Sequence, residues 1–171
     1  MGYDRTYSRE EIHQMLYLSE RRLRPTAPVA KAHPGHAISQ HTEQRDDPFD
    51  RRHIRQDSRF SSRKHLILAA EEALHSTEGR QELATLNAHG CDKCEITFQL
   101  SATKGKIKAD VVLNPMAKVG KKKVPAEGPA RYFEGVPVNS VFLLIDKLAP
   151  AESWAPLHIQ TAYPNEVSLP A

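Results

Sequence analysis

Two different hydrophobic patterns divide this chain of 171 residues near position 90. Before that point, apolar side chains recur at the 3.6-residue spacing of helices. After it come short runs rich in β-branched and aromatic residues, separated by Gly, Pro and Lys turns, a pattern that predicts strands. Helices followed by strands favour an α+β fold in which N-terminal helices pack on a twisted antiparallel sheet. The predicted strands cover 94–101, 107–114, 130–135, 139–148 and 156–163.

The first half predicts four helices. One spans 7–23 and a short polar one spans 36–47, ended by a proline. The clearest helix lies within 59–76, where Ser61 or Ser62 can cap it, and a further one follows at about 79–88. The stretch 24–37 is rich in proline and predicts a linker.

Length and composition predict one domain with one core. We divide the chain into an N-terminal helix and linker at 1–30 and the main domain at 31–171.

The net charge of +3 is compatible with a polyanionic partner. No apolar run is long enough to insert into a membrane, and the N-terminus lacks the pattern of a secretory signal. Residues 115–129 predict a basic loop.

The two cysteines, Cys91 and Cys94, are too few for a disulfide framework. Their spacing is that of half a zinc site, but no second pair follows, so a turn entering a strand is the stronger interpretation. The chain also lacks the serine-hydrolase elbow and the zinc-protease helix motif. What remains is acid–base chemistry on a phosphate ester, without metal or cofactor.

Histidines and arginines concentrate in residues 33–55. Histidine exchanges protons near neutral pH, and arginine binds phosphate through two parallel N–H donors. This combination suits phosphodiester chemistry, although a solvated basic helix has the same composition. The residues are His33, His36, His41, His53, Arg45, Arg51, Arg52 and Arg55.

Hydrogen-bonding side chains occupy the last predicted strand. Strict alternation places Thr161 and Tyr163 on one face with Ile159, and His158 on the other. A hydroxyl and a phenol side by side can donate to a phosphate oxygen or position a ribose. Both residue types are also ordinary in strands.

Lysines elsewhere in the chain form either solvated faces or a surface for a nucleic-acid backbone. These lysines are Lys104, Lys106, Lys108, Lys118 and Lys121 to Lys123.

Four segments occur in an order that resembles the bacterial RNase A-like toxin domains of contact-dependent growth inhibition proteins and related polymorphic toxins. They are GHAISQH at 35–41, SRFSSRKHLILAAEEAL at 58–74, VFLLIDKLAP at 141–150 and WAPLHIQTAYP at 154–164. The resemblance covers roughly residues 33–165. It implies an RNase A-like fold and an active site made of a histidine, an arginine and the threonine and tyrosine of T-x-Y.

Carried onto this chain, the last two residues are Thr161 and Tyr163. The histidine is His41 or, as the alternate, His36. Counting from His41 places Arg52 at the separation expected for the arginine, whereas the same step from His36 reaches Asp47. Arg45 and Arg51 are further candidates for the arginine.

The implied activity is a metal-independent endoribonuclease that cleaves RNA by 2′-OH transphosphorylation and leaves a 2′,3′-cyclic phosphate. The resemblance also implies an RNA substrate, with tRNA among the candidates, and a cognate immunity protein. Such a domain is secreted and delivered into the cytoplasm of target bacteria. Two alternatives stay open: an RNA-binding module without catalysis and an ADP-ribosyltransferase toxin.

Overall fold

The computed structural model describes residues 1–21, 35, 37–42, 55–100 and 106–171. Within these ranges the helices are α1 (Arg9–Arg21), α2 (Ala37–His41), α3 (Arg63–His75) and α4 (Thr77–Thr85). The strands are β1 (Gln56–Phe60), β2 (Lys93–Gln99), β3 (Lys108–Leu113), β4 (Met116–Val119), β5 (Lys122–Pro125), β6 (Arg131–Lys147) and β7 (Leu157–Val167). None of these helices is long and apolar enough to cross a membrane.

The main sheet is antiparallel and confirms the α+β prediction. Its strands run in the order β1-β3-β6-β2, and β7 also pairs with β6, while β4 and β5 form a separate hairpin. The first part of β6 pairs with β3, and the second part pairs with β2 and β7. Strand β6 therefore joins two arms of the sheet.

Two strands predicted at 130–135 and 139–148 are in fact the single strand β6, and the separation was wrong. Gly135, which suggested a turn, instead lies at a bulge with φ +61. Glycine adopts this left-handed conformation without a Cβ clash, so the chain bends and continues as a strand. The backbone N–H of Gly135 donates to the Asp110 carboxylate on β3 at 3.1 Å, which fixes the bulge.

The basic segment at 115–129 was predicted as a loop, but it contains the β4–β5 hairpin. Gly120, with φ +62, begins its two-residue turn.

Strand β1 was not predicted at all. Helix α2 covers only Ala37–His41 of the predicted 36–47, and residues 43–47 lie outside the described part of the chain.

Helices α1 and α3 begin where their capping residues predict. Ser8 and Glu11 form a capping box, in which the Glu11 N–H donates to Ser8 Oγ and the Ser8 N–H donates to the Glu11 carboxylate. Ser62 caps α3 by accepting from the His65 N–H at 3.4 Å. Both helices thereby satisfy N–H groups that have no partner within the helix.

One hydrophobic core connects the helices to the sheet. Its largest members include Tyr7, Ile12, Phe60, Leu66 and Leu143, which are all fully buried. Residues of α1 thus share a core with the strands. The boundary expected near residue 30 falls in 22–34, outside the described residues.

Candidate active site

A bulge in β7 decides which side chains reach the site. Ile159 pairs with Ile145 of β6 and Thr161 pairs with Leu144, so Gln160 is an extra residue in β7. Directly paired residues share a face, and adjacent residues of β6 point to opposite faces. Thr161 therefore lies on the face opposite Ile159.

The prediction that Thr161 and Tyr163 share a face with Ile159 was consequently wrong, as was the placement of His158 on the other face. The register gives Thr161 and Tyr163 the same face as His158, and Ile159 belongs to the core. The cause is the extra residue, which interrupts the two-residue period between positions 159 and 161.

Helix α2 brings His41 to β7. Gly35, just before the helix, lies so close to α1 and β7 that a Cβ would fall 2.9 Å from the Ile159 carbonyl oxygen. Its N–H donates to the Ser19 carbonyl at 3.0 Å. The Ile38 N–H, in the first turn of α2, donates to the Glu20 carboxylate at 2.6 Å. These contacts fix the start of α2 against α1 and β7.

A polar cavity of about 330 Å³ lies between α2, β1 and β7. The Ser58 hydroxyl of β1 donates to the Pro164 carbonyl of β7 at 3.3 Å, which ties the two strands together beside it. The lining residues are His41, Gln56, Asp57, Ser58, Thr161, Tyr163, Pro164 and Asn165. Hydroxyl, imidazole, amide and carboxyl groups therefore converge on one space large enough for a phosphate and part of a ribose.

The ring of Tyr163 is close to two other rings. Its centroid is 5.4 Å from that of His41 and 5.0 Å from that of Phe142. Burial, and after it the negative charge of Glu95, raises the pKa of the Tyr163 hydroxyl above its ordinary value. The phenol consequently stays protonated at neutral pH and acts as a hydrogen-bond donor.

Thr161 places a buried hydroxyl at the cavity. Its side-chain oxygen has almost no exposed surface and has no hydrogen-bond partner among the described residues. A buried polar group without a partner typically costs about 1–3 kcal/mol. A ligand oxygen in the cavity would satisfy this hydroxyl.

Three of the residues proposed from the sequence thus come together: His41, Thr161 and Tyr163. Arg52 and the alternate histidine His36 lie outside the described residues, as do Arg45 and Arg51. Across the described ranges, no group of three or more His, Cys, Asp and Glu side chains is arranged to hold a metal ion.

Sequence reasoning missed the contribution of β1. Asp57 is only 1% exposed and lines the cavity, as Ser58 does. Asn165 also lines it, and the amide of Asn165 donates to Ser140 Oγ at 3.0 Å. Strand β1 carries four polar side chains among its five residues, so no hydrophobic alternation indicated a strand there.

Two buried titratable residues lie beside Thr161 on the same face of the sheet. Asp146 and His158 are cross-strand partners, and neither is exposed to solvent. Lys93 Nζ lies 3.5 Å from Asp146 Oδ1. Burial raises the pKa of the Asp146 carboxyl, although the charges of Lys93 and His158 partly oppose this effect.

Replacing Asp146 with Asn is expected to remove part of the pH dependence of stability. The unfolded chain releases this proton near pH 3.8, and the folded protein releases it at a higher pH. Between these two values the free energy of unfolding falls as pH rises, because the unfolded state binds fewer protons. The free energy of unfolding in urea should therefore be measured at pH 4 and pH 7. The difference between Asp146→Asn and the native protein should favour the variant more at pH 7 than at pH 4. The exposed Glu134→Gln is the control, and equal differences at both pH values would contradict the expectation.

The described cavity combines an imidazole, hydroxyl, amide and carboxyl groups, and it is built by α2, β1 and β7. The fold that carries it is α+β. The chain matches no protein-family model, no curated protein and no solved structure.

Proposed function

We propose that this protein is a metal-independent endoribonuclease toxin. The proposal rests on one observation above all: His41, Thr161 and Tyr163, far apart in the sequence, line one polar cavity. Such a set combines a proton acceptor with hydroxyl donors for a phosphate or a ribose. The resemblance to RNase A-like toxins names Thr161 and Tyr163 independently of their geometry, and it names His41 with His36 as the alternate.

In the proposed reaction, His41 takes the proton of a ribose 2′-OH. The 2′-oxygen then forms a bond to the adjacent phosphorus, and the bond from phosphorus to the 5′-oxygen breaks. Tyr163 gives a proton to the leaving 5′-oxygen, and protonated His41 restores the proton of the phenol. The near contact of the two rings, at 5.4 Å between centroids, suits this exchange. The products are a 2′,3′-cyclic phosphate and a free 5′-hydroxyl.

The other groups would stabilise charge and orient the substrate. Thr161 donates its hydroxyl to a phosphate oxygen, and Arg52, assigned from the resemblance, stabilises the negative charge that develops on the phosphorane. Asp57 supplies the carboxyl group among the described lining residues.

The biological setting follows from the resemblance. The protein would be a secreted toxin domain used in interbacterial competition and delivered into the cytoplasm of target cells. Its substrate would be RNA, with tRNA among the candidates. The producing cell would need a cognate immunity protein, and an acidic surface on that protein would complement the net positive charge of this chain.

The test is incubation of the purified chain with total RNA and, separately, with DNA, both in the presence of EDTA. We expect RNA fragments that end in 2′,3′-cyclic phosphate, and intact DNA because DNA lacks the 2′-OH nucleophile. An oligonucleotide with one 2′-deoxy position should resist cleavage at that position. Intact RNA, or cleavage that EDTA abolishes, would contradict the proposal.

A non-catalytic RNA-binding module is the second candidate. The observation that favours it is the exposed, lysine-rich β4–β5 hairpin. Such a protein would bind RNA with strong salt dependence and leave it intact. The incubation with total RNA separates the two functions directly.

A further inference from the structure

The β4–β5 hairpin places two lysines in an electrostatically unfavourable position. Lys118 and Lys123 are directly paired across the strands, so their side chains share one face. Both are exposed. Like charges directly opposite each other destabilise a strand pair. An anion bound between the two ammonium groups would remove this repulsion.

Arg55 adds a third positive charge at the same place. A pocket of about 250 Å³ lies at the base of the hairpin, and its lining residues are Arg55, Asn114, Met116, Ala117, Lys118 and Lys123. None of these residues is acidic. Arginine binds phosphate through two parallel N–H donors, and lysine binds it as a compact charge. The composition of the pocket therefore suits a phosphate group.

Backbone contacts hold the two sides of this pocket together. The Asn114 N–H donates to the Arg55 carbonyl at 2.8 Å, which joins the start of β1 to the end of β3. The Ala126 N–H donates to the Pro115 carbonyl at 3.0 Å and closes the base of the hairpin. Lys118 and Lys123 thus project from a hairpin that is anchored beside Arg55.

The pocket lies next to the candidate active site along β1. Arg55 immediately precedes Gln56, and Gln56, Asp57 and Ser58 all line the cavity that contains His41. At about 3.3 Å per residue in a strand, Arg55 is about 10 Å from Ser58. This distance is of the order that separates phosphates one or two nucleotides apart in a single strand.

We propose that the pocket formed by Arg55, Lys118 and Lys123 binds a backbone phosphate of the RNA, one or two nucleotides from the bond that is cleaved. The inference rests on the proposed ribonuclease function and extends it from the cleaved bond to the neighbouring backbone. Contacts of this kind add affinity without sequence preference. The substrate is therefore a strand with several phosphates, bound along β1.

The test compares a single-stranded RNA hexanucleotide with a dinucleoside monophosphate, which has no neighbouring phosphate. The double variant Lys118→Gln/Lys123→Gln should raise KM for the hexanucleotide about tenfold, with kcat unchanged, because two charge contacts are lost. It should leave cleavage of the dinucleoside monophosphate unchanged. The matched control is Lys121→Gln/Lys122→Gln, which also removes two positive charges. Lys122 pairs with Val119 on the other face of the same hairpin, and Lys121 lies in its turn.

An equal effect on both substrates, or an equal effect of Lys121→Gln/Lys122→Gln, would overturn the inference, since either result would report a general loss of positive charge. If the native protein cleaves neither substrate, the ribonuclease proposal fails, and binding of the hexanucleotide is measured instead by fluorescence anisotropy. Weaker binding by Lys118→Gln/Lys123→Gln than by Lys121→Gln/Lys122→Gln would still support the phosphate pocket. Equal binding by the two would overturn it.

Discussion

His41→Ala is expected to lower the rate of RNA cleavage by about 10²–10⁴-fold, the range that a positioned acid–base group contributes. His41 lines the cavity and lies beside Tyr163, so its loss removes both the proposed proton acceptor and the partner that restores the phenol's proton. The measurement is the initial rate of cleavage of a fluorescent RNA oligonucleotide. Circular dichroism and thermal unfolding establish that the variant is folded.

His41→Gln accompanies it, because glutamine fills more of the same space but does not exchange protons near neutral pH. The matched control is His89→Ala, which removes an exposed histidine in the turn before β2. Activity that survives in both His41 variants would move the role of the base to another group. The cleavage rate of Asp57→Asn then decides between the two remaining groups. A loss of cleavage would assign the base to the buried carboxyl of the same cavity, and unchanged cleavage would leave His36, the alternate histidine.

Gly35→Ala is expected to reduce cleavage by about tenfold to a hundredfold and to lower the unfolding temperature. The added methyl group would fall 2.9 Å from the backbone of both Ile159 and Ser19, and backbone atoms cannot move aside as a side chain can. The start of α2 would have to shift away from β7, and His41 would shift with it. A displacement of about 1 Å at a catalytic group can cost about a hundredfold in rate.

Cleavage and thermal unfolding should be measured together on Gly35→Ala, at a temperature where the variant remains folded. A fall in kcat under those conditions reports the position of His41, beyond any loss of stability. Native activity together with a native unfolding temperature would show that α2 tolerates the methyl group. The role of Gly35 as a contact point would then be wrong.

The sequence allowed prediction of those elements whose signals are local. Ser62 marks the start of α3 because a capping hydroxyl acts within three residues of its partner. The placement of Thr161 and Tyr163 on one face also follows from local alternation. The structure retains this placement because the bulge lies before both residues. These features depend only on neighbouring residues.

Features that depend on distant partners escaped prediction. The extra residue at Gln160 is defined only by its pairing with β6, and β1 is a strand because β3 supplies its hydrogen bonds. Asp57 could not be assigned to the site for the same reason. The resemblance supplied His41, while its approach to Tyr163 depends on the contact of Gly35 with α1 and β7.

The bend of β6 at Gly135 has a consequence for substrate fit. Strand β1, which forms one wall of the cavity, pairs with β3, and β3 pairs with the first part of β6. Strand β7, which forms the opposite wall, pairs with the second part of β6. The angle between the two parts of one strand therefore sets how far apart the walls stand. The width of the substrate that the cavity admits consequently depends on the curvature of the sheet. A substitution at this distant glycine would widen or narrow the cavity without altering any side chain that lines it.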